Sequence, residues 1–224
     1  LYGAPRFHKA ARAAGLKPII GAELTIRVDG AGGTDGAMRH RPFVPVVTLP
    51  VLVATREGYR HLCRLLTRMH LGAPKGEGTL AIEDLAGHTR GLVALAGRDL
   101  LLGVFGAGNV YVELQRHHRR DDLADGQALV ALASAYRVPV VATNGVRFAA
   151  SDARPVYDVL TCLRHHTTLG GAGRRLAPNA ERYLKPAAEM SRLFGDLPGA
   201  VAAAGELADR LEYTMAELGY RFPD

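Results

Sequence analysis

Short runs of aliphatic and β-branched residues alternate along this chain with longer stretches that repeat apolar residues every three or four positions, and this alternation is the strongest restriction on its fold. Runs of the first kind must pair as strands to satisfy their backbone, and each stretch of the second kind has one apolar face to bury. The combination implies an α/β fold with mostly parallel strands. The clearest strand is VPVVATNGVRF, residues 138–148, where Val138, Val140 and Val141 precede Thr143, Asn144 and Gly145. Such a strand delivers polar residues to one end of a sheet, which is where α/β folds place their chemistry.

In chain order, residues 5–14 read as a helix with Pro5 near its start, Phe7, Ala10, Ala11 and Ala14 at helical spacing, and Gly15 as terminator. Residues 17–28 read as a strand with Glu23 set among Ile19, Ile20, Leu24 and Ile26, and the Gly-rich residues 29–41 as a surface loop. After a strand at 51–54, Thr55 caps a helix that turns Tyr59, Leu62, Cys63, Leu66 and Met69 inward and Arg56, Arg60, Arg64 and Arg68 outward, ending at His70. A loop rich in Gly and Pro follows, then a strand at 91–96 and a helical turn within 100–105. In 110–115 the residues Val110, Val112 and Leu114 face one way, and the strand runs straight into Arg116, His117, His118, Arg119 and Arg120. A helix over 122–136 turns Leu123, Ala128, Leu129, Leu132 and Ala135 inward. Another, from Ser151 to Leu163, does the same with Val156, Val159, Leu160 and Leu163. Two last helices, 186–194 and 198–211, each carry proline in the first turn.

The net charge of +6 suits a polyanionic partner. No run of about 18 apolar residues is present, so no membrane contact is expected. Cys63 and Cys162 stand far apart in different elements, which gives neither a disulfide framework nor a metal knuckle and implies a reducing cytoplasm. The chain opens on Leu1 without Met, so the expectation is a fragment.

Glu23, His70 and His117 each stand at the end of an element. Converging at one rim, they would suit Zn²⁺ or Mn²⁺ in a phosphoesterase. Each also has a plainer reading: an edge carboxylate in water, an imidazole favoured by a helix C-terminus, and a basic phosphate contact. The sequence contains no HExxH, GxxxxGK[ST], GxSxG or GxGxxG motif.

The segments RFHKAARAAGLKPIIGAEL, ATREGYRHLCRLLT, VYVELQRH, VPVVATNGVRF and AERYLKPAAEMSRLFGDLP, in this order, resemble the polymerase-and-histidinol-phosphatase (PHP) domain of bacterial DNA polymerase III alpha subunits, the C-family polymerases. DVLTCLRHHTTL, APNAERYLK and LGYRFPD resemble most closely the error-prone, damage-tolerant branch. The resemblance covers essentially the whole chain. It implies a PHP-type distorted (β/α)7 barrel over 1–168, lacking its first strands, and a helical connection over 169–224 leading toward the palm of an absent polymerase core. For the parent protein it implies a DNA-directed DNA polymerase acting in replication and damage-induced repair synthesis, with a DNA primer-template and dNTPs as substrates and Mg²⁺ bound outside this chain. The polymerase core in cis and other translesion-synthesis proteins are the implied partners.

The resemblance also places the metal site. Glu23 in GAE, His117 in QRH and His70 match ligand positions of the family, whereas the family's ATND-x-H motif has Gly145 in place of its aspartate and Arg147 in place of its histidine. The early HxH and TDH segments would precede Leu1. A fixed positive charge at Arg147 would cost a bound cation about 4 kcal/mol at 4 Å with an effective dielectric near 20. The expectation is therefore a scaffold with no catalytic residue of its own and at most a vestigial Zn²⁺ or Mn²⁺. The alternative is an active metal-dependent phosphoesterase or 3′–5′ exonuclease, and a further one is a DNA-binding module using 116–120 and 56–68.

Overall fold

A computed structural model describes residues 3–27, 46–74, 76–96 and 102–217. The loop expected at 29–41 lies outside the described residues, as does the motif LGYRFPD. The chain divides into two compact units, Leu1–Tyr111 with Glu206–Asp224, and Val112–Gly205.

The first unit begins with α1 (Ala4–Ala13), closed by Gly15 at φ +71°, a left-handed conformation that glycine adopts without strain. β1 (Gly21–Arg27) pairs antiparallel with β2 (Val46–Val53), from Gly21 opposite Leu52 to Arg27 opposite Val46. β2 pairs antiparallel with β3 (Leu92–Ala96). The expected parallel arrangement is thus corrected for these strands. Counting alternate helices and strands says nothing about strand direction. Burial does, because Leu24 and Ile26 in β1, and Leu49, Val51 and Val53 in β2, are buried at every second position, the pattern of antiparallel strands covered on one face.

α2 (Arg56–Leu71) follows β2, and the Thr55 hydroxyl accepts from the Gly58 N–H at 3.2 Å, as its capping role requires. Gly58, Leu62, Leu65 and Met69 are buried, while Arg56, Arg60, Arg64 and Arg68 are exposed. The buried stripe is therefore rotated from the expected one, and Tyr59, Cys63 and Leu66 sit at its half-buried margin. Tyr59 stacks on Tyr213 with ring centroids 5.0 Å apart. A short helix, α3 (Leu102–Phe105), precedes β4. The Arg210 guanidinium donates to the Gly108 carbonyl at 2.6 Å and to the Asn109 side chain, which ties the C-terminal segment to this unit.

The second unit is built on β4 (Val110–Gln115) and β5 (Val140–Thr143), which are parallel, with Val112 opposite Val140 and Gln115 opposite Thr143. Between them runs α4 (Asp122–Tyr136), and after β5 come α5 (Arg154–Arg164), the short α6 (Leu169–Ala172), α7 (Ala187–Leu193) and α8 (Pro198–Arg210), whose residues from Glu206 on are counted with the first unit. Two expected inward faces are corrected. In α4 only Ala133 is buried and Leu123 is exposed. In α5 only Cys162 is buried, and Val156, Val159, Leu160 and Leu163 are 63%, 46%, 56% and 66% exposed. Apolar periodicity identifies the stripe of a helix and not what lies against it. Leu160→Ser is accordingly expected to change stability by less than about 0.5 kcal/mol, where a core leucine truncated to alanine would lose about 2–5 kcal/mol. Thermal melting of the variant checks this.

Candidate functional site

Because β4 and β5 end side by side, the residues that follow them, Arg116 and His117 on one and Asn144 and Gly145 on the other, meet at one end of the second unit. Thr143 Oγ1 donates to Glu113 Oε1 at 2.6 Å between the two strands. The turn after β4 is held by Asp122, whose Oδ2 accepts from the backbone N–H of His117 at 2.5 Å and of Arg119 at 3.0 Å, with His118 between them at φ +55°.

His117 is buried, and its Nε2 lies 3.1 Å from the Asn144 carbonyl oxygen. Burial pushes its pKa below the usual histidine value, and Arg182 and Lys185 reinforce that shift. The imidazole is thus held neutral, with Nε2–H donating to Asn144.

The segment 177–185 closes this end of the strands. Asn144 Nδ2 donates to the carbonyls of Glu181 at 2.8 Å and Tyr183 at 2.6 Å, and Asn179 Nδ2 donates to the His117 carbonyl at 2.5 Å. The Arg147 N–H donates to the Arg182 carbonyl at 2.8 Å, and Phe148 and Tyr183 form a parallel bridge. Asn144 therefore serves as a polar clamp, inserted where a strand end would otherwise leave carbonyls unpaired.

Behind the segment lies Lys185, buried, with Nζ 2.8 Å from Glu181 Oε2, 3.4 Å from Glu189 Oε1 and 3.6 Å from the centre of the Tyr183 ring. Tyr183 donates its hydroxyl hydrogen bond to Glu189, and this lowers the Glu189 pKa. Arg116 is held by Asp196 in a two-pronged pair at 2.5 and 2.8 Å and lies over the Phe194 ring at 4.7 Å.

Beside His117 opens a pocket of about 270 Å³ lined by His117, Arg119, Arg147, Tyr157, Arg175 and Arg182, with Leu176, Ala177 and Pro178. Arg182 Nη2 donates to Gln115 Oε1 at 2.8 Å. Gly145 stands in the left-handed region at φ +49°, and a Cβ there would lie 2.6 Å from Gln115 Oε1. An aspartate at this position would have to displace the glutamine that orients Arg182. The space beside His117 does not suit a divalent metal, because four guanidiniums line it. Glu23 and His70, the other two residues predicted as ligands, are exposed members of the first unit, Glu23 on β1 and His70 on the last turn of α2. Among the described residues, no group of three or more His, Cys, Asp or Glu is placed to hold a metal ion. Arg182 and Tyr157 were not singled out from the sequence, and Arg175 was read only as part of a turn. The one signal for Arg182 was its place in the block APNAERYLK, which marks a segment without saying where it folds back.

The PHP domain family model matches residues 1–100. An error-prone DNA polymerase of Anaeromyxobacter dehalogenans is 39% identical over 238 aligned residues, covering 100% of this chain and 20% of that protein. One of Rhodopseudomonas palustris is 40% identical over 181 residues, 75% of this chain and 16% of the relative. Error-prone DNA polymerase 1 of Agrobacterium fabrum is 32% identical over 231 residues, 98% of this chain and 20% of the relative. The chain spans about a fifth of the length of these curated relatives. Its mixed α/β organisation, with five strands among the described residues, is consistent with a fragment of a PHP-type (β/α) barrel. No described helix is long and apolar enough to cross a membrane. Residues 1–100 are similar to the PHP domain family, and the chain over its whole length is similar to about one fifth of an error-prone DNA polymerase.

Proposed function

We propose that this chain is the PHP portion of an error-prone, translesion DNA polymerase, and that it acts there as a scaffold and not as a catalyst. In this reading residues 1–168 supply the barrel and 169–224 the helical connection toward the polymerase core. The parent protein extends a primer-template with dNTPs in the cytoplasm, in replication and in repair synthesis after damage, using Mg²⁺ held outside this chain. Glu23, His70 and His117 are residual positions of a metal site, with Zn²⁺ or Mn²⁺ as its former occupant.

The observation that carries the scaffold reading is the apolar face of α5, where Val156, Val159, Leu160 and Leu163 fall at one, four, five and eight along one side and all face solvent. A contiguous row of this kind is what an interface leaves exposed when its partner is absent. The chain spans about a fifth of its relatives, so the rest of the polymerase, in cis, is the occupant supported. Other translesion proteins are further partners in the same reading.

The cationic surroundings of His117 and the glycine at 145 speak against the alternative, an active phosphoesterase or 3′–5′ exonuclease. Calorimetric titration of the chain with Zn²⁺ and with Mn²⁺ is expected to give no submicromolar binding, and incubation with a 3′-mismatched primer-template no metal-dependent release of nucleotides. Tight binding abolished by Glu23→Gln, together with nuclease turnover, would overturn the scaffold reading.

A further inference from the structure

The pocket beside His117 is bounded by residues from four stretches of the second unit: His117 and Arg119 after β4, Arg147 after β5, Tyr157 on α5, and Arg175 and Arg182 from the segments that fold back over the strand ends. Among the described residues that line it, none is acidic. The larger pocket nearby, lined by Arg116, Arg119 and Arg192, also contains Asp122 and Glu189 and is mixed in sign. At the His117 pocket Arg182 donates to an amide oxygen on Gln115, which orients the guanidinium.

Four guanidiniums around one small space repel one another and any cation, and an entering anion relieves that repulsion. The planar fork of arginine matches the oxygens of a phosphate group through paired, charge-assisted hydrogen bonds. Tyr157 and the neutral His117 complete the lining. We propose that this pocket is a phosphate-binding site in which Arg119, Arg147, Arg175 and Arg182 hold the oxygens of one phosphate group. The phosphate is carried on a nucleic-acid strand or is free as inorganic phosphate or pyrophosphate. The site requires no metal and performs no reaction, so it extends the scaffold reading without depending on it.

The test uses the complete 224-residue chain and two probes, pyrophosphate followed by calorimetry and a fluorescein-labelled single-stranded oligonucleotide followed by anisotropy. Arg147→Ala and Arg175→Ala remove pocket charges, and Arg12→Ala, exposed in the last turn of α1, serves as the control. The backbone N–H of Arg147, which bonds to the Arg182 carbonyl, survives the truncation. Melting curves confirm that each variant is folded, and Arg175, exposed in a short turn, reads the site even if Arg147→Ala unfolds. The expected result is saturable binding of at least one probe, weakened about tenfold by each pocket variant and unchanged by Arg12→Ala. Pyrophosphate that binds alone identifies the free ion as the source. An oligonucleotide that binds with steep salt dependence and is displaced by pyrophosphate identifies the strand. Failure of both probes to saturate at millimolar concentration, or equal weakening by Arg12→Ala, would overturn the proposal. Because neither probe carries a metal, failure here leaves the titrations with Zn²⁺ and Mn²⁺ to decide the scaffold reading separately.

Discussion

Gly58→Ala is expected to destabilise the first unit by about 2 kcal/mol, although alanine is the better helix former. Removing glycine from a helix interior gains about 1 kcal/mol in propensity. Against that, a Cβ at position 58 would stand 1.9 Å from the Gly91 carbonyl oxygen and 2.4 Å from its carbon. This oxygen cannot swing aside, because it accepts the N–H of Ala54 at 2.9 Å. Gly91 itself sits at φ +75°, with its own missing Cβ directed at Thr55 Oγ1, 2.2 Å away, and the Gly58 N. Two glycines thus let the first turn of α2 rest on the entry to β3, and pushing them apart costs about 3 kcal/mol, the upper part of the usual range for overpacking. A urea midpoint shifted clearly downward in Gly58→Ala is the expected readout. An unchanged or raised midpoint would mean that α2 does not rest on that turn.

Neither glycine stood out in the sequence. A lone glycine inside a helical pattern reads as a mild penalty, and only contact across the fold turns it into a requirement. The elements themselves were legible where periodicity is strong and local. β4 shows the alternation read from Val110, Val112 and Leu114, and α2 carries the Thr55 cap. Strand direction was not legible, because β1, β2 and β3 are related by pairings that no short window contains. Nor was the environment of α5. Its apolar stripe has the spacing of a core helix, yet Leu160 and Leu163 are more than half exposed, and what covers such a face is not written in the helix itself.

The same division runs through the site. Gly145 and Arg147 could be recognised as departures from the family pattern, since the block VPVVATNGVRF is long enough to align by eye. What replaced the missing ligands could not be seen, because Arg175 and Arg182 arrive from about thirty residues further along the chain, brought by a backbone segment whose hydrogen bonds are made by Asn144 and Asn179. Sequence spacing of that size carries no geometric constraint of its own.

Asn144→Ala is expected to cost about 3 kcal/mol and to loosen the wall of the arginine-lined pocket. The buried amide donates to two carbonyls, of Glu181 and Tyr183, and truncation leaves both without that donor. Each lost bond is worth about 1 kcal/mol, and each buried carbonyl left unpaired adds to that. Asn144→Asp sharpens the argument. It conserves shape but replaces two donors with a charged acceptor facing two carbonyl oxygens, so at neutral pH it should be at least as damaging as alanine. On acidification the balance should shift, because a protonated carboxyl regains one donor; the gap between Asp and Ala should then narrow or reverse as pH falls toward the carboxyl range. Chemical denaturation at two pH values reads the energies. Amide exchange at Arg147 and Phe148, whose N–H groups bond to the Arg182 carbonyl, reads the position. Faster exchange there in both variants at neutral pH is the expected result, and an Asp variant as stable as the original chain at neutral pH would show that Asn144 does not clamp the segment.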